Sequence, residues 1–308
     1  MSTEAFLPPE LRGAGTTITK IAAGLSGAGV YRVEAAGQVF VLKIASDAEP
    51  IEAWRSRVAI QQAAATAGIA ARVIHTDEAR RAVVSAFVVD RSFPTLFWNP
   101  ATRQSAIELL GQTIRKVHEL PIPEGAQAKD ARDFLGEIWG MLSGFTLPAF
   151  VGEAVARALA EDPPPRERSV VLCHNDINPS NLAYDGERLI LLDWDTAGPN
   201  DPFVDLAAIS VFLRMDEDTC GALLAAYDGA AAEAESPSFA YYRRLVAALC
   251  GSAFLGIARR RGHAGSTAED ALDLAAFYQQ LRGGAVNIAS ADGQWAFGLA
   301  LIKASLAL

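Results

Sequence analysis

The first third of the chain reads as strands around one helix. Val30-Tyr31-Arg32-Val33-Glu34 and Val39-Phe40-Val41-Leu42-Lys43-Ile44 have strand character, and Ala35-Ala36-Gly37-Gln38 would join them as a hairpin. Thr17 to Ala22 alternates weakly ahead of a small-residue turn, Gly24-Leu25-Ser26-Gly27-Ala28-Gly29. Pro50 then opens a helix near its first turn, where a missing N–H costs nothing. Ile51, Trp54, Val58, Gln61 and Ala65 fall near one face of that helix, and Gly68 ends it. Val73 to His75 and Ala82 to Val89 are two more expected strands. From Phe93 the pattern turns helical, over Ser105–Leu120, Ala131–Leu142 and Gly152–Glu161. It is interrupted between Val170 and Asp193 and resumes from Asp205 to the end. The change of pattern puts a boundary near Phe87 to Arg91, dividing the chain into 1–88 and 89–308.

Composition narrows the function classes. With 308 residues, 51% of them hydrophobic, the chain can bury a large core or two lobes with a cleft. No apolar stretch reaches the roughly 18 residues of a membrane span. Trp295 to Leu308, interrupted by Lys303, is expected to be a buried terminal helix, and the alanine-rich Ala230–Ala234 an ordinary helix or its end. Met1 to Arg12 has no basic segment followed by an apolar core, so no signal peptide is expected. Three cysteines far apart, Cys173, Cys220 and Cys250, argue against a disulfide framework or zinc site and suit a reducing cytoplasm. The net charge of −9, without a basic stripe, argues against a nucleic-acid partner and leans toward a cationic substrate.

The chemistry gathers in Val170 to Asp195. An apolar strand leads into the polar loop Cys173-His174-Asn175-Asp176-Ile177-Asn178-Pro179-Ser180-Asn181, and Asp185-Gly186 is a strong hairpin signal. The hairpin would hold Asn181 near one end of a two-stranded ribbon and Asp193 at the other, so their side chains can converge. Each could be only a cap, but each also supplies a hard oxygen that suits Mg²⁺, which keeps waters and takes few protein ligands. Asp176 is placed to accept a proton from an attacking hydroxyl or to orient it. His174 would hydrogen-bond backbone and fix the loop.

His174-x-Asp176-x4-Asn181, with Asp193 twelve residues later, resembles the catalytic loop and metal-binding Asp of the protein-kinase-like fold. Asp193 is followed by Trp194-Asp195 rather than Phe-Gly, and Asp201-Pro202-Phe203-Val204-Asp205-Leu206-Ala207 follows. The whole run is similar to the choline/ethanolamine kinase and aminoglycoside phosphotransferase superfamily. That resemblance implies an α+β, two-lobed protein-kinase-like fold with a small antiparallel-sheet N-lobe and a mainly helical C-lobe. It implies ATP and Mg²⁺ as cofactors, with the γ-phosphate passing to a hydroxyl of a small molecule. By the same resemblance Ser26, Gly27, Ala28 and Gly29 cover the nucleotide, Lys43 neutralises its phosphates, and backbone groups near Ala86 to Val88, including Phe87 and Val88, receive its base. Asp205 would hydrogen-bond the catalytic loop. Asp195 could face a second metal or the acceptor, or merely cap the next turn.

The family usually carries a Glu in the first helix that pairs with the strand Lys. Ser56 to Gln62 has no carboxylate. Glu52 could reach Lys43, Gln61 or Gln62 could substitute, or the helix could be held differently. The acceptor is expected to be a cationic metabolite such as choline, ethanolamine or thiamine. The alternatives are an aminoglycoside or other antibiotic, which would make the chain a resistance enzyme, and a pseudokinase acting as a binding module. Trp194, Phe203, Tyr241, Tyr242 and Trp295 could offer aromatic faces to an ammonium group, although each taken singly is expected in the core.

Overall fold

A computed structural model describes residues 3–21, 29–128, 130–229 and 236–308. Ser26, Gly27, Ala28 and the alanine-rich run Ala230–Ala234 lie outside the described residues. The chain groups into two compact units, Met1–Gly125 with Pro179–Ala197 and Ala126–Asn178 with Gly198–Leu308.

The first unit is built on five strands, β1 (Thr17–Lys20), β2 (Gly29–Ala35), β3 (Gln38–Ile44), β4 (Val73–Asp77) and β5 (Ala82–Ala86). They form an antiparallel sheet in the order β1-β2-β3-β5-β4. The β2–β3 hairpin closes on Ala36 and Gly37 with φ of 50° and 72° and pairs Ala35 with Gln38. Two left-handed residues in a two-residue loop match the twist of the flanking strands. Side chains alternate across the sheet, and this decides which residues can serve a site. Val33, Ala35, Phe40, Leu42, Ala82 and Val84 form a core with Leu7 and Leu11. Val83 faces the other way and packs with Trp54 and Val58 of helix α1 (Ile51–Thr66). By the same alternation, Lys43 in β3 is on the α1 side of the sheet.

Helix α2 (Phe93–Trp98), which begins where the pattern turns helical, is capped by the Ser92 side chain. It packs on β7 (Leu182–Tyr184), while α3 (Arg103–His118) packs on β8 (Leu189–Leu191). The β7–β8 hairpin is tied to the rest of the unit by Arg91 N donating to Tyr184 O at 2.7 Å and Leu191 N donating to Ile69 O at 2.8 Å.

The second unit is helical apart from the short ribbon β6 (Val171–Cys173) with β9 (Gly198–Asn200). Its helices are α4 (Ala131–Met141), α5 (Ala149–Ala160), α6 (Phe203–Phe212), α7 (Glu217–Asp228), α8 (Pro237–Arg260), α9 (Leu274–Arg282) and α10 (Ala291–Ala307). The long α8 packs against α4, α5, α6 and α10. The α8–α10 contact needs bare backbone. A Cβ on Gly251 would lie 2.9 Å from Gly298 O, and one on Gly298 would lie 2.9 Å from Gly251 O. Helix α10 buries Phe297, Leu299, Ala300, Leu301 and Ile302, the terminal core helix expected from its apolar run. The three thiols are free, with Cys173 and Cys220 buried and Cys250 partly so. No helix among the described residues is long and apolar enough to cross a membrane.

Candidate active site

In the first unit a cavity of about 290 Å³ opens on the α1 side of the sheet. Val30, Val41, Val83, Ala86 and Leu191 give it apolar walls, and Lys43, Asp193 and Asp195 give it a charged edge. Phe87 and Val88 also line it. Apolar walls with a few convergent polar groups are the usual make-up of a small-molecule site.

The charged edge is an ordered cluster. Lys43 Nζ lies 2.7 Å from Asp193 Oδ1 and 2.7 Å from Asp195 Oδ2. The two carboxylates converge because Asp193 has φ 59° and ψ 73°, a left-handed turn that Asp tolerates better than most residues. Trp194, 3% exposed, anchors that turn by donating its indole N–H to Leu191 O at 3.1 Å. Asn181 adjoins Asp193 through the ribbon. Leu182 pairs with Leu191, and Leu192 N donates to Asn181 O at 2.9 Å. The sequence-based expectation that the hairpin ends meet therefore holds for the backbone. Asn181 is 9% exposed, and it and Asp193 supply the hard oxygen donors that a Mg²⁺ ion takes, so the residues present fit that ion.

Lys43 takes neither Glu52 nor Gln61 as its partner. Glu52 pairs with Arg55 at 2.6 Å, and Gln61 donates to Ser85 Oγ at 3.3 Å. Arg57, which the sequence reading left out, lies three residues past Trp54 on the sheet-facing stripe and is 9% exposed. Its guanidinium is 2.9 Å from Glu49 and 3.1 Å from Asp195 Oδ1. A basic residue beside Trp54 and Val58 on a mostly apolar stripe was the available signal.

In the second unit, Asp205 in the first turn of α6 is fully buried and accepts from two successive backbone N–H groups, His174 at 2.7 Å and Asn175 at 2.8 Å. Asn175 has φ 63°, the kind of strained position that buried bonds must hold. It donates to Gly198 O at 3.2 Å and accepts from Asn200 Nδ2 at 2.9 Å. Asp176 is half-buried, next to the fully buried Ile177, and its Oδ1 accepts from Asn178 Nδ2 at 2.9 Å. The part Asp205 plays toward the loop backbone was legible in the sequence. The parts of Asn175, Asn178 and Asn200 were not. Burial pushes the Asp201 carboxyl up, although it accepts from Phe203 N at 3.0 Å and has Arg166 nearby.

Among the predicted site residues, the first unit gathers Lys43, Asp193, Phe87 and Val88 around one cavity and brings Asn181 beside Asp193 in the ribbon. Gly29 begins β2, where a Cβ would meet the Tyr31 ring at 2.9 Å. Asp176 belongs to the second unit. Of the aromatic residues considered for an ammonium, Trp194, Phe203 and Tyr241 are core, and Trp295 stacks on His263 with centroids 4.3 Å apart. Tyr242 lines a second cavity of about 220 Å³ with Asp130, Arg166 and Asp201.

A sheet with a strand Lys and an Asp-Trp-Asp turn, together with a helical unit whose polar loop is held by a buried Asp, is a protein-kinase-like fold. The chain belongs to the phosphotransferase enzyme family, whose model it matches over residues 17–246. It is 36% identical over 55 residues to Protein LicA of Haemophilus influenzae, which is 18% of this chain and 21% of that one. The match thus spans about a fifth of that relative's length. The fold is similar to a choline/ethanolamine kinase family protein from Mesorhizobium loti (TM-score 0.58, 23% identity, covering 94% of this chain and 91% of that one). It is also similar to an aminoglycoside-3′-phosphotransferase of type VIII (TM-score 0.54, 21% identity, 77% of this chain and 94% of that one).

Proposed function

We propose that the protein is an ATP-dependent small-molecule kinase that transfers the γ-phosphate to a hydroxyl of a cationic metabolite such as choline, ethanolamine or thiamine, in the cytoplasm. The observation that carries this reading is Lys43, held at 2.7 Å from Asp193 at the edge of an apolar cavity. A cation and a hard carboxylate beside an apolar slot suit a purine with a polyphosphate. The net charge of −9 favours a cationic acceptor.

In this reading residues 1–88 bind nucleotide and 89–308 carry catalysis and the acceptor. Ser26, Gly27, Ala28 and Gly29 admit the phosphates to backbone N–H groups. Phe87 and Val88 meet the base. Lys43 exchanges a carboxylate partner for the inner phosphates. Asn181 and Asp193 would hold Mg²⁺, which neutralises phosphate charge when bound. Asp176 orients the acceptor hydroxyl and takes its proton. Asn178 restrains the Asp176 carboxylate, and Asp205 fixes the loop that carries it. Phosphoryl transfer has a loose transition state that asks mainly for positioning and charge neutralisation, and these groups supply both.

The test is magnesium-dependent ADP release from ATP across choline, ethanolamine, thiamine, aminoglycosides and macrolides, with wild type beside Asp176→Ala. Release stimulated by an amino alcohol and lost by a factor of about 10² or more in the variant is expected. Stimulation by an antibiotic alone would make the chain a resistance enzyme. Failure to bind ATP would overturn the reading.

A further inference from the structure

We propose that Arg57 is a positioning residue for Lys43, acting through Asp195, and that this relay couples helix α1 to the strand lysine. The part that concerns nucleotide rests on the function proposed above.

The cluster alternates in sign: Glu49, Arg57, Asp195, Lys43, Asp193. Arg57 meets Glu49 at 2.9 and 3.2 Å and Asp195 Oδ1 at 3.1 Å, and Lys43 meets Asp195 Oδ2 at 2.7 Å. Each oxygen of Asp195 thus faces a different cation, one from the helix and one from the sheet. A guanidinium in the middle of α1 with 9% exposure is costly unless paired, and these two carboxylates pair it. Asp195 Oδ1 is buried and its contact with Arg57 is not an aligned hydrogen bond, so charge rather than bond geometry holds them together. The acidic residue of α1 nearest the cluster in sequence, Glu52, is turned to Arg55 and away from this network.

The two carboxylates on Lys43 are therefore unequal. Both line the cavity, but Asp193 is 37% exposed in its side chain, whereas Asp195, at 25%, is also paired with Arg57. When phosphates compete for Lys43, Asp193 is the carboxylate that lets go. Asp195 stays with Lys43 and keeps its ammonium aimed. Without Arg57, Asp195 has no such anchor and Lys43 loses its fixed partner.

The experiment uses the full chain as wild type, Arg57→Gln, Asp195→Asn, the double variant, Arg57→Lys, and Arg55→Gln on the exposed side of the same helix. Calorimetric MgATP affinity and hydrogen exchange of the α1 amides without nucleotide are read for each. Arg57→Gln and Asp195→Asn are each expected to weaken MgATP and to speed α1 exchange by about tenfold. The double variant should show no more than the larger single loss, because both remove one relay. Arg57→Lys, which keeps the charge, should recover most of the affinity, and Arg55→Gln should behave as wild type. Should Arg57→Gln fail to fold, Asp195→Asn and Arg57→Lys carry the same comparison. Single losses that multiply in the double variant, or an Arg57→Gln indistinguishable from Arg55→Gln, would overturn the relay. A wild type that binds no MgATP sinks the proposed function, and the exchange measurement then decides on Arg57 by itself.

Discussion

The two units hold their polar residues by different physics. In the first, Lys43 pairs with Asp193 and Asp195 through side chains that are 20–37% exposed. In the second, fully buried Asp205 holds the loop through two backbone N–H groups. Ion pairs at partial exposure are weak, screened by salt, and can be exchanged for an incoming anion at little cost. A buried carboxylate on backbone donors is hard to exchange, because leaving either side unpaired carries a full desolvation cost. One unit has charges that can change partners, and the other keeps a loop in one shape.

The largest expected effect tests the rigid side. Asp205→Ala leaves the buried N–H of His174 and the partly buried N–H of Asn175 without their acceptor and should destabilise the protein by roughly 3 kcal/mol. The urea midpoint reads this, and the loss should be the same in 1 M salt. A loss that shrinks with salt would put Asp205 in the same class as the exposed pairs. The close α8–α10 packing belongs to the same rigid side. In Gly251→Ala the new Cβ would sit 2.8 Å from Ile302 Cγ1 and 2.9 Å from Gly298 O. Overpacking should outweigh alanine's helix preference and leave a net loss of about 1–2 kcal/mol. A gain in stability would show that the helices separate cheaply.

Lys43→Met tests the exchangeable side. It should cost only about 1 kcal/mol, most of which disappears in 1 M salt. A salt-resistant loss as large as that of Asp205→Ala would erase the contrast between the units.

The legible parts of this architecture are those written locally. Ala36-Gly37 and Asp185-Gly186 announce their hairpins because a left-handed turn residue cannot be hidden. Once the second hairpin is placed, Asn181 and Asp193 must meet at its open end. The apolar stripe of α1 gave the helix and its buried face. It did not show Arg57, because periodicity names a face and not a partner, and the partner here is Asp195, far along the chain. The asparagines escaped for a related reason. Asn175 and Asn200 bond across the β6–β9 ribbon, whose pairing depends on strands of three residues each that leave little pattern.

The smallest predicted effect sets two aspartates against each other. Asp185, at the turn of the β7–β8 hairpin, accepts from Arg188 N at 2.8 Å and Glu187 N at 2.9 Å. Those bonds, helped by the Arg188 side chain, hold its carboxyl below the usual range. A depressed folded-state pKa contributes stability that is full above the unfolded value of about 3.9 and lost as pH falls through the folded one. Asp185→Ala should therefore cost about 1 kcal/mol at neutral pH and progressively less as pH falls below the ordinary carboxylate value. Asp201 has the opposite sign, because burial raises its carboxyl. Its stability contribution is best below the ordinary carboxylate value and declines as pH rises through the raised one. Asp201→Asn should remove that decline, so that its stability relative to wild type improves with rising pH while that of Asp185→Ala worsens. Urea midpoints of both variants from pH 3 to 8 measure the two slopes. Slopes of the same sign would mean that Asp201 is held by its donors, as Asp185 is, rather than penalised by its burial.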